Sequence, residues 1–185
     1  PGCLAEGLLG DSGSGLRPLE PFAGVLRSAR LIASRAGGWW LAAIQGEGEA
    51  GLVRGVPGRP PRRISLEGLG DEPLRRVAQL SEDGWGRITV VVQQATRWVV
   101  VLLDAEGRWL STAEAPAAAS SVGVWGLRAL AADGRSGRLW SSRDAGRSWH
   151  SEGTPIAAEH RGASPLPIDC ASVGCVLGRF GYWRW

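Results

Sequence analysis

Short apolar runs alternate with brief polar turns along most of the chain. Four segments share one plan, in which an apolar run and a tight turn precede a second run that opens on an aromatic residue. They are LIASRAGGWWLAA (31–43), TVVVQQATRWVVVLL (89–103), LRALAADGRSGRLWSS (127–142) and CVLGRFGYWRW (175–185). Short β-prone runs flanking turns that contain glycine are typical of β-hairpins. The pattern therefore predicts an all-β fold.

Tryptophans recur at a nearly constant interval within these hairpins. Trp98 and Trp140 are 42 residues apart, and Trp140 and Trp183 are 43 apart. Repeats of about 40 to 45 residues with four strands each are typical of a β-propeller, whose blades must stack to bury their faces, and the indoles would fill the wedges between blades. The 58-residue interval from Trp40 to Trp98 indicates an insertion near residues 55–63. An antiparallel sandwich with accidental tryptophan spacing is the alternative fold.

The repeat also predicts how the chain is organised. We expect an N-terminal segment (1–30) followed by repeats at about 31–80, 81–120, 121–165 and 166–185, the last of them incomplete. About four repeats lie at the low end of the four to eight blades usual in propellers. We therefore expect one piece of a larger propeller, completed by another polypeptide or by residues outside this chain. A closed four-bladed ring, completed by a strand from the N-terminal segment, is the alternative.

Composition and charge exclude several functional classes. The 185 residues are 44% hydrophobic and 21% charged, which is typical of a globular protein with a sizeable core. The net charge of +3 is small, and the basic cluster at 59–63 has no interleaved aromatic residues, so no nucleic-acid site is predicted. No apolar run approaches the roughly 20 residues of a membrane-spanning helix, so no transmembrane segment is expected.

The stretch SSRDAGRSW (141–149) contains a spaced polar motif, Ser142-x-Asp144-x-Gly146-x-Ser148-Trp149. It resembles the Asp-box, or BNR repeat, of sialidases, sortilin-type receptors and secreted bacterial propellers, and departs from that motif only in having serine for threonine at 148. Asp144 can accept hydrogen bonds from turn amides, and Gly146 can supply a positive φ. The resemblance implies a buried Trp149 and an outer hairpin distant from the ligand-binding axis. We therefore interpret the motif as a structural turn.

A degenerate copy of the motif precedes it by one repeat. It keeps Asp104, Gly107 and Trp109, and Trp109 lies 40 residues before Trp149. The serine has been lost and the spacing has slipped, which is what a structural turn under loose constraint would show.

Two cysteines open the last repeat. Four residues separate Cys170 from Cys175, and they would allow the chain to double back and close a small disulfide ring. With Val176 and Gly178 following, the segment resembles a Cys-x(3–4)-Cys-Val-x-Gly element of secreted bacterial propellers. A disulfide favours a secreted, periplasmic or cell-surface protein. Two reduced buried thiols are the alternative, and Cys3 is left without an assigned partner.

Catalysis is not the expected function. A sialidase-like glycoside hydrolase is the enzymatic alternative, but it would need a tyrosine nucleophile with a glutamate partner. The only tyrosine, Tyr182, occupies a position where other repeats have packing residues, and the Phe/Tyr-Arg-Ile-Pro motif of that family is absent. His150 and His160 share no ligand spacing with the cysteines, so neither a metal nor a cofactor is predicted. We expect a non-catalytic binding or scaffold module that takes a protein, a glycan or a peptide.

Overall fold

The described part of the chain is built from antiparallel strands. The computed structural model describes residues 9–11, 16–18, 26–46, 49–66, 69, 72–158, 161–162, 167–178 and 181–185. A short hairpin pairs β1 (Leu9–Asp11) with β2 (Leu16–Pro18). The other described strands form consecutive sheets in which each strand pairs with its neighbours along the chain. The prediction of an all-β fold is therefore confirmed.

Each of these sheets is a compact meander, which we call a blade. Blade 1 contains β3 (Leu26–Ala33), β4 (Trp39–Gln45), β5 (Glu49–Gly55) and β6 (Arg62–Ser65). Blade 2 contains β7 (Arg76–Glu82), β8 (Ile88–Gln93), β9 (Trp98–Leu103) and β10 (Trp109–Glu114). Blade 3 contains β11 (Ser121–Trp125), β12 (Arg128–Asp133), β13 (Arg138–Ser142) and β14 (His150–Gly153). Blade 4, as far as it is described, contains β15 (Ile168–Ala171), β16 (Gly174–Leu177) and β17 (Gly181–Arg184).

The blades stack face to face around their first strands. Strand β3 lies against β7, β7 lies against β11, and β11 lies against β15. Three apolar cores fill the spaces between successive blades. A four-stranded sheet with two apolar faces cannot bury both of them alone, so stacking around an axis follows from the sequence pattern. The fold is that of a β-propeller or of part of one, as predicted.

The structure corrects the phase of the first repeat. Trp98, Trp140 and Trp183 lie in the third strands β9, β13 and β17, whereas Trp40 lies in the second strand, β4. The longer interval after Trp40 therefore contains one additional strand and its turn, and no insertion is needed. Residues 56–61 form the turn between β5 and β6.

The same change of phase moves the limits of the blades. Strand β3 begins inside the segment predicted at 1–30, and β7 crosses the repeat boundary predicted at residue 80. The physical reason is that every pair of adjacent strands in a meander has the same pattern of apolar run, turn and apolar run. A closing strand from the N-terminal segment stays a prediction, since β1 and β2 pair with each other and the rest of that segment up to residue 25, including Cys3, lies outside the described residues.

Candidate functional site

The first strands of the blades leave one edge without a pairing strand, and side chains from the neighbouring blade fill that role. The Ser28 hydroxyl in β3 accepts a hydrogen bond from the Val77 amide at 3.1 Å and donates one to the Val77 carbonyl at 3.3 Å. The Arg30 Nε donates to the Ala78 carbonyl at 3.1 Å. Unpaired backbone groups are costly when buried, so these contacts stabilise the junction between blades 1 and 2.

Gln79 makes the corresponding contacts from β7. Its Oε1 accepts a hydrogen bond from the Val124 amide at 2.7 Å, and its Nε2 donates to the Cys170 carbonyl at 3.4 Å. The Ser81 hydroxyl donates to the Val124 carbonyl at 3.3 Å. Gln79 is 8% exposed and ties together the first strands of blades 2, 3 and 4.

A β-bulge directly precedes Ser28 and another precedes Gln79. The pairing register shifts between Leu26 and Ser28 in β3 and between Val77 and Gln79 in β7. A bulge bends its strand and re-aims the next side chain, which accounts for the reach of Ser28 and Gln79 to the neighbouring strand. Neither Ser28 nor Gln79 was predicted from the sequence. Both residues lie in strands of mixed composition, LRSARLIA and RVAQLSE, so no local pattern distinguishes them.

Blade 4 meets blade 3 through a glycine. A Cβ added to Gly123 in β11 would lie 2.5 Å from the Ile168 Cγ2 and 2.7 Å from the Cys170 Sγ. Glycine at this position therefore lets β15 approach β11 closely. Cys170 and Cys175 lie directly opposite each other in β15 and β16 and form a disulfide, which is buried in the core between the two blades. The predicted disulfide is confirmed.

The first strands of all four blades line one cleft with a volume of about 740 Å³. Ile32, Trp125 and Ile168 contribute apolar surface, and Arg30 and Asp169 contribute charges of opposite sign. Mixed apolar and charged walls of this size suit a ligand of small-molecule dimensions or the side chains of a peptide.

Two further side chains of the cleft are held in place by neighbours. The Arg76 guanidinium stacks over the Trp98 ring, with 5.8 Å between the Arg76 Cζ and the ring centroid. A carboxylate oxygen of Glu82 accepts a hydrogen bond from the Arg35 amide at 3.1 Å. Because their neighbours hold them, Arg76 and Glu82 present fixed charges to the cleft.

The Ser142–Trp149 motif forms the turn between β13 and β14. The Asp144 carboxylate accepts hydrogen bonds from the Ser148 amide at 2.9 Å and the Ser148 hydroxyl at 2.6 Å. The Ser142 hydroxyl donates to Asp144 at 2.7 Å and accepts from the Gly146 amide at 2.8 Å, and Gly146 has a φ of +86°. The Ser148 hydroxyl, followed by the turn amides and Ser142, holds the pKa of the Asp144 carboxyl below its usual value, against the opposing effect of desolvation. Each polar side chain of the motif thus has a role within the turn.

The Asp104 turn occupies the same place in blade 2 and makes the same bonds with different partners. Asp104 accepts from the Arg108 amide at 2.8 Å and from the Arg108 Nε at 2.6 Å. Partial desolvation would raise the pKa of the Asp104 carboxyl, but the hydrogen bonds from Arg108 and Glu106 outweigh it and lower that pKa. A Cβ added to Gly107, whose φ is +82°, would lie 2.2 Å from the Ile64 Cδ1. Arg108 therefore takes the place that Ser148 has in the other turn.

The tryptophans that close the two turns also play matching roles. The Trp149 Nε1 donates to the Glu114 carbonyl at 2.9 Å, and the Trp109 Nε1 donates to the Ser65 carbonyl at 3.4 Å. Both acceptors end the fourth strand of the preceding blade. Each indole therefore fastens the outer edge of one blade to the next. The identity of these turns as Asp-boxes stays a prediction.

A third aspartate turn, which was not predicted, lies in blade 2. Asp83, between β7 and β8, accepts hydrogen bonds from the Arg87 amide at 3.0 Å and the Arg87 Nε at 2.7 Å. The pattern Asp-x-x-Gly-Arg is shared by 83–87 and 104–108 and could have identified it. It lies between the first and second strands, so the motif is not tied to one position in the blade.

The predicted blade-packing tryptophans all contact an inter-blade core. Trp40 is 1% exposed in the core between blades 1 and 2, with the Arg54 guanidinium 5.3 Å from its ring centroid. Trp98 and Trp140 pack in the core between blades 2 and 3, and Trp183 packs in the core between blades 3 and 4. In the described ranges no helix is long and apolar enough to cross a bilayer, and no three His, Cys, Asp or Glu side chains cluster as a metal site would require.

No protein-family model and no curated protein matches the chain. Among solved structures, the chain is similar to YCF48 from Cyanidioschyzon merolae, a β-propeller, with a TM-score of 0.51 and 14% sequence identity. The match covers 88% of this chain and 52% of YCF48, so the chain spans about half the length of that structure. A similarity at this level of identity establishes the fold alone.

Proposed function

We propose that the chain is a non-catalytic binding or scaffold module of the β-propeller class, acting outside the cytoplasm and completed by another polypeptide. The observation that carries the proposal is the cleft onto which the first strands of all four blades open. Propellers commonly offer such a central surface to a ligand while the outer turns hold the blades together. The Cys170–Cys175 disulfide supports an oxidising compartment.

The positions of the reactive side chains support binding over hydrolysis. Tyr182, the only tyrosine, lies in the third strand of blade 4, is 55% exposed and is not part of the cleft wall. Asp144 and Ser148, the residues most similar to a sialidase motif, are bonded to each other within an outer turn. A glycosidase would need a paired acid and nucleophile facing the same substrate.

The proposal is tested by panning the chain against a displayed peptide library and a glycan array, with a cleft variant and a control. Ala33 is an exposed residue of the cleft, and Ala36 is exposed in the following turn outside it. We expect Ala33→Arg to weaken binding of the selected peptide or glycan by at least about tenfold, since a bulky charge would occupy the cleft, and Ala36→Arg to leave the dissociation constant unchanged.

Two results would overturn the proposal. One is binding that Ala33→Arg does not affect, because the selected ligand would then lie outside the cleft. The other is turnover of a fluorogenic sialoside that is abolished in Tyr182→Phe, because this would make the chain a glycosidase.

A further inference from the structure

The turns of the blades lie at two opposite ends. Consecutive strands of a blade are antiparallel, so the turns after the first and third strands share one end and the turn after the second strand lies at the other. Neighbouring blades meet at the first of these ends. A Cβ added to Gly84 would lie 3.9 Å from the Arg35 Nη1, and one added to Gly126 would lie 2.6 Å from a carboxylate oxygen of Asp83. We call this end the turn face; it comprises residues 34–38, 56–61, 83–87, 104–108, 126–128, 143–149 and 172–173.

Exposed apolar side chains are concentrated on the turn face. Trp85 is 84% exposed, Val173 is 63% exposed and Leu127 is 37% exposed, and each lies in the turn after the first strand of its blade. Within the described ranges, no large apolar side chain is exposed in a turn at the opposite end. Contiguous exposed apolar surface is typical of an interaction site, so the two ends of the blades differ in function.

The most exposed of these side chains projects from a fixed turn. The Asp83 carboxylate is buried and accepts hydrogen bonds from the Trp85 amide at 2.9 Å and the Arg87 amide at 3.0 Å. It also forms an ion pair with the Arg87 guanidinium at 2.7 Å. These bonds hold the backbone on both sides of Trp85, so the indole is presented to solvent by a rigid support.

The turn face is also basic. Seven arginines and four acidic residues lie in its turns, and this excess of three positive charges equals the net charge of the whole chain. The four carboxylates are engaged within the turns, Asp83 with Arg87, Asp104 and Glu106 with Arg108, and Asp144 with Ser142 and Ser148. Arg35, Arg128 and Arg143 are exposed, and none of them forms an ion pair with a carboxylate of the described residues.

The arrangement of these side chains suits a bilayer surface better than a protein segment. Trp85, Leu127 and Val173 stand on separate turns, and none of them lines the cleft, so they form projections at one level. A bilayer surface can receive several such projections at once. Indoles favour the headgroup region of a bilayer, and arginines are attracted to anionic lipids.

We propose that the turn face docks this chain on the surface of a bilayer that contains anionic lipids. Trp85, Leu127 and Val173 insert among the headgroups, and the unpaired arginines of the face contact the lipid phosphates. The cleft reaches the same end of the blades through Arg35 and Glu82, so docking turns this mouth of the cleft towards the bilayer. The inference does not depend on the ligand of the cleft.

The first test is cosedimentation of the chain with vesicles of phosphatidylglycerol and phosphatidylcholine in equal parts, and with vesicles of phosphatidylcholine alone. We expect binding to the anionic vesicles that weakens as sodium chloride is added. Trp85→Ala should raise the dissociation constant for these vesicles by at least about tenfold, because the inserted indole is lost. A wild-type chain that stays in the supernatant at low salt would overturn the inference, and so would a Trp85→Ala chain that binds as well as the wild type.

The second test separates a docking face from general attraction of a basic protein. Arg128→Gln combined with Arg143→Gln should weaken binding to the anionic vesicles by at least about fivefold. Arg135→Gln combined with Arg138→Gln is the matched control, since it removes the same charge from exposed positions at the opposite end of blade 3, and it should change binding by less than about twofold. Equal losses in the two double variants would overturn the inference.

The third test identifies the inserted side chain. Vesicles that carry brominated acyl chains should quench part of the tryptophan fluorescence of the bound chain, and Trp85→Phe should bind but lose most of that quenching. Quenching that persists in Trp85→Phe would place another tryptophan in the bilayer and overturn the assignment of the turn face. Self-association that Trp85→Ala abolishes, without any vesicle binding by the wild type, would also overturn it by assigning the face to a protein contact.

Discussion

Blade 2 and blade 4 share one strand plan and differ in what surrounds them. Blade 2 lies between two other blades, and every residue of β9 is buried. In the part of the chain that the structure describes, blade 4 shares an apolar core with blade 3 only, and Tyr182 and Val176 are exposed on its other face. Its hairpin β15–β16 carries a disulfide. The difference shows that apolar burial on both faces holds blade 2, whereas blade 4 depends on one apolar core and a disulfide.

The largest contrast should come from the same truncation made in the two blades. Val101→Ala in β9 removes two methyl groups from a fully buried position and should lower the free energy of unfolding by about 2.5 kcal/mol. Val176→Ala, at a half-exposed position of blade 4, should change the free energy of unfolding by less than about 0.5 kcal/mol. Urea denaturation followed by tryptophan fluorescence measures both. Equal losses would contradict the difference in burial.

Removal of the disulfide should weaken blade 4 selectively. Cys170→Ala combined with Cys175→Ala opens a very short loop, for which the chain-entropy model gives about 2 kcal/mol. Hydrogen exchange should then accelerate in β15, β16 and β17 before it does so in blade 2. A uniform acceleration throughout the chain would show instead that the blades unfold as one cooperative unit.

Substitution of Gln79 should reveal how much its hydrogen bonds contribute to holding blade 2 against blades 3 and 4. Gln79→Leu keeps the volume but leaves the buried Val124 amide without its acceptor, at a cost of about 1.5 kcal/mol. The exchange rate of the Val124 amide should rise with the loss of stability. Gln93→Leu, at the end of β8 in the same blade, serves as the control and should leave that amide protected.

The smallest effect should come from the outer turn of blade 3. Asp144→Asn weakens the two hydrogen bonds that the Ser148 amide and hydroxyl donate to this side chain. It should lower the free energy of unfolding by about 1 kcal/mol at neutral pH. The folded-state pKa of Asp144 is lowered from 3.8, so its contribution is fully present above that pH and is lost as the pH falls through the folded-state pKa. The gap between wild type and variant should therefore close below pH 3.8 in acid titrations of unfolding. A gap that stays constant down to full protonation would contradict the lowered pKa.

Local chemistry made part of this molecule predictable from its sequence. Apolar runs around Asp133-Gly134 and Gly37-Gly38 indicate hairpins because each turn signal lies next to the strands that it joins. The disulfide between Cys170 and Cys175 could be predicted for the same reason, since only four residues separate the two cysteines. In each case the sequence signal lies within a few residues of chain.

Features that join distant residues could not be predicted in the same way. Trp40 has the same local pattern as Trp98, and only the pairing of strands shows that it belongs one strand earlier. Gln79 acts on Val124 and Cys170, which lie 45 and 91 residues further along the chain. No local pattern encodes such contacts, so the cleft walls and the ties between blades required the three-dimensional structure.

The bonded inner edges of the blades also determine how a ligand in the cleft could be recognised. An extended peptide often binds a sheet by adding a strand to an exposed edge. The affinity then comes mainly from hydrogen bonds to the peptide backbone, so many sequences are tolerated. Here the amide and carbonyl groups of Val77 and Val124 are already occupied by Ser28, Gln79 and Ser81. A peptide therefore cannot add a strand at those positions, and the cleft would have to recognise it there through contacts with its side chains. If the proposed ligand is a peptide, the cleft would therefore discriminate between sequences.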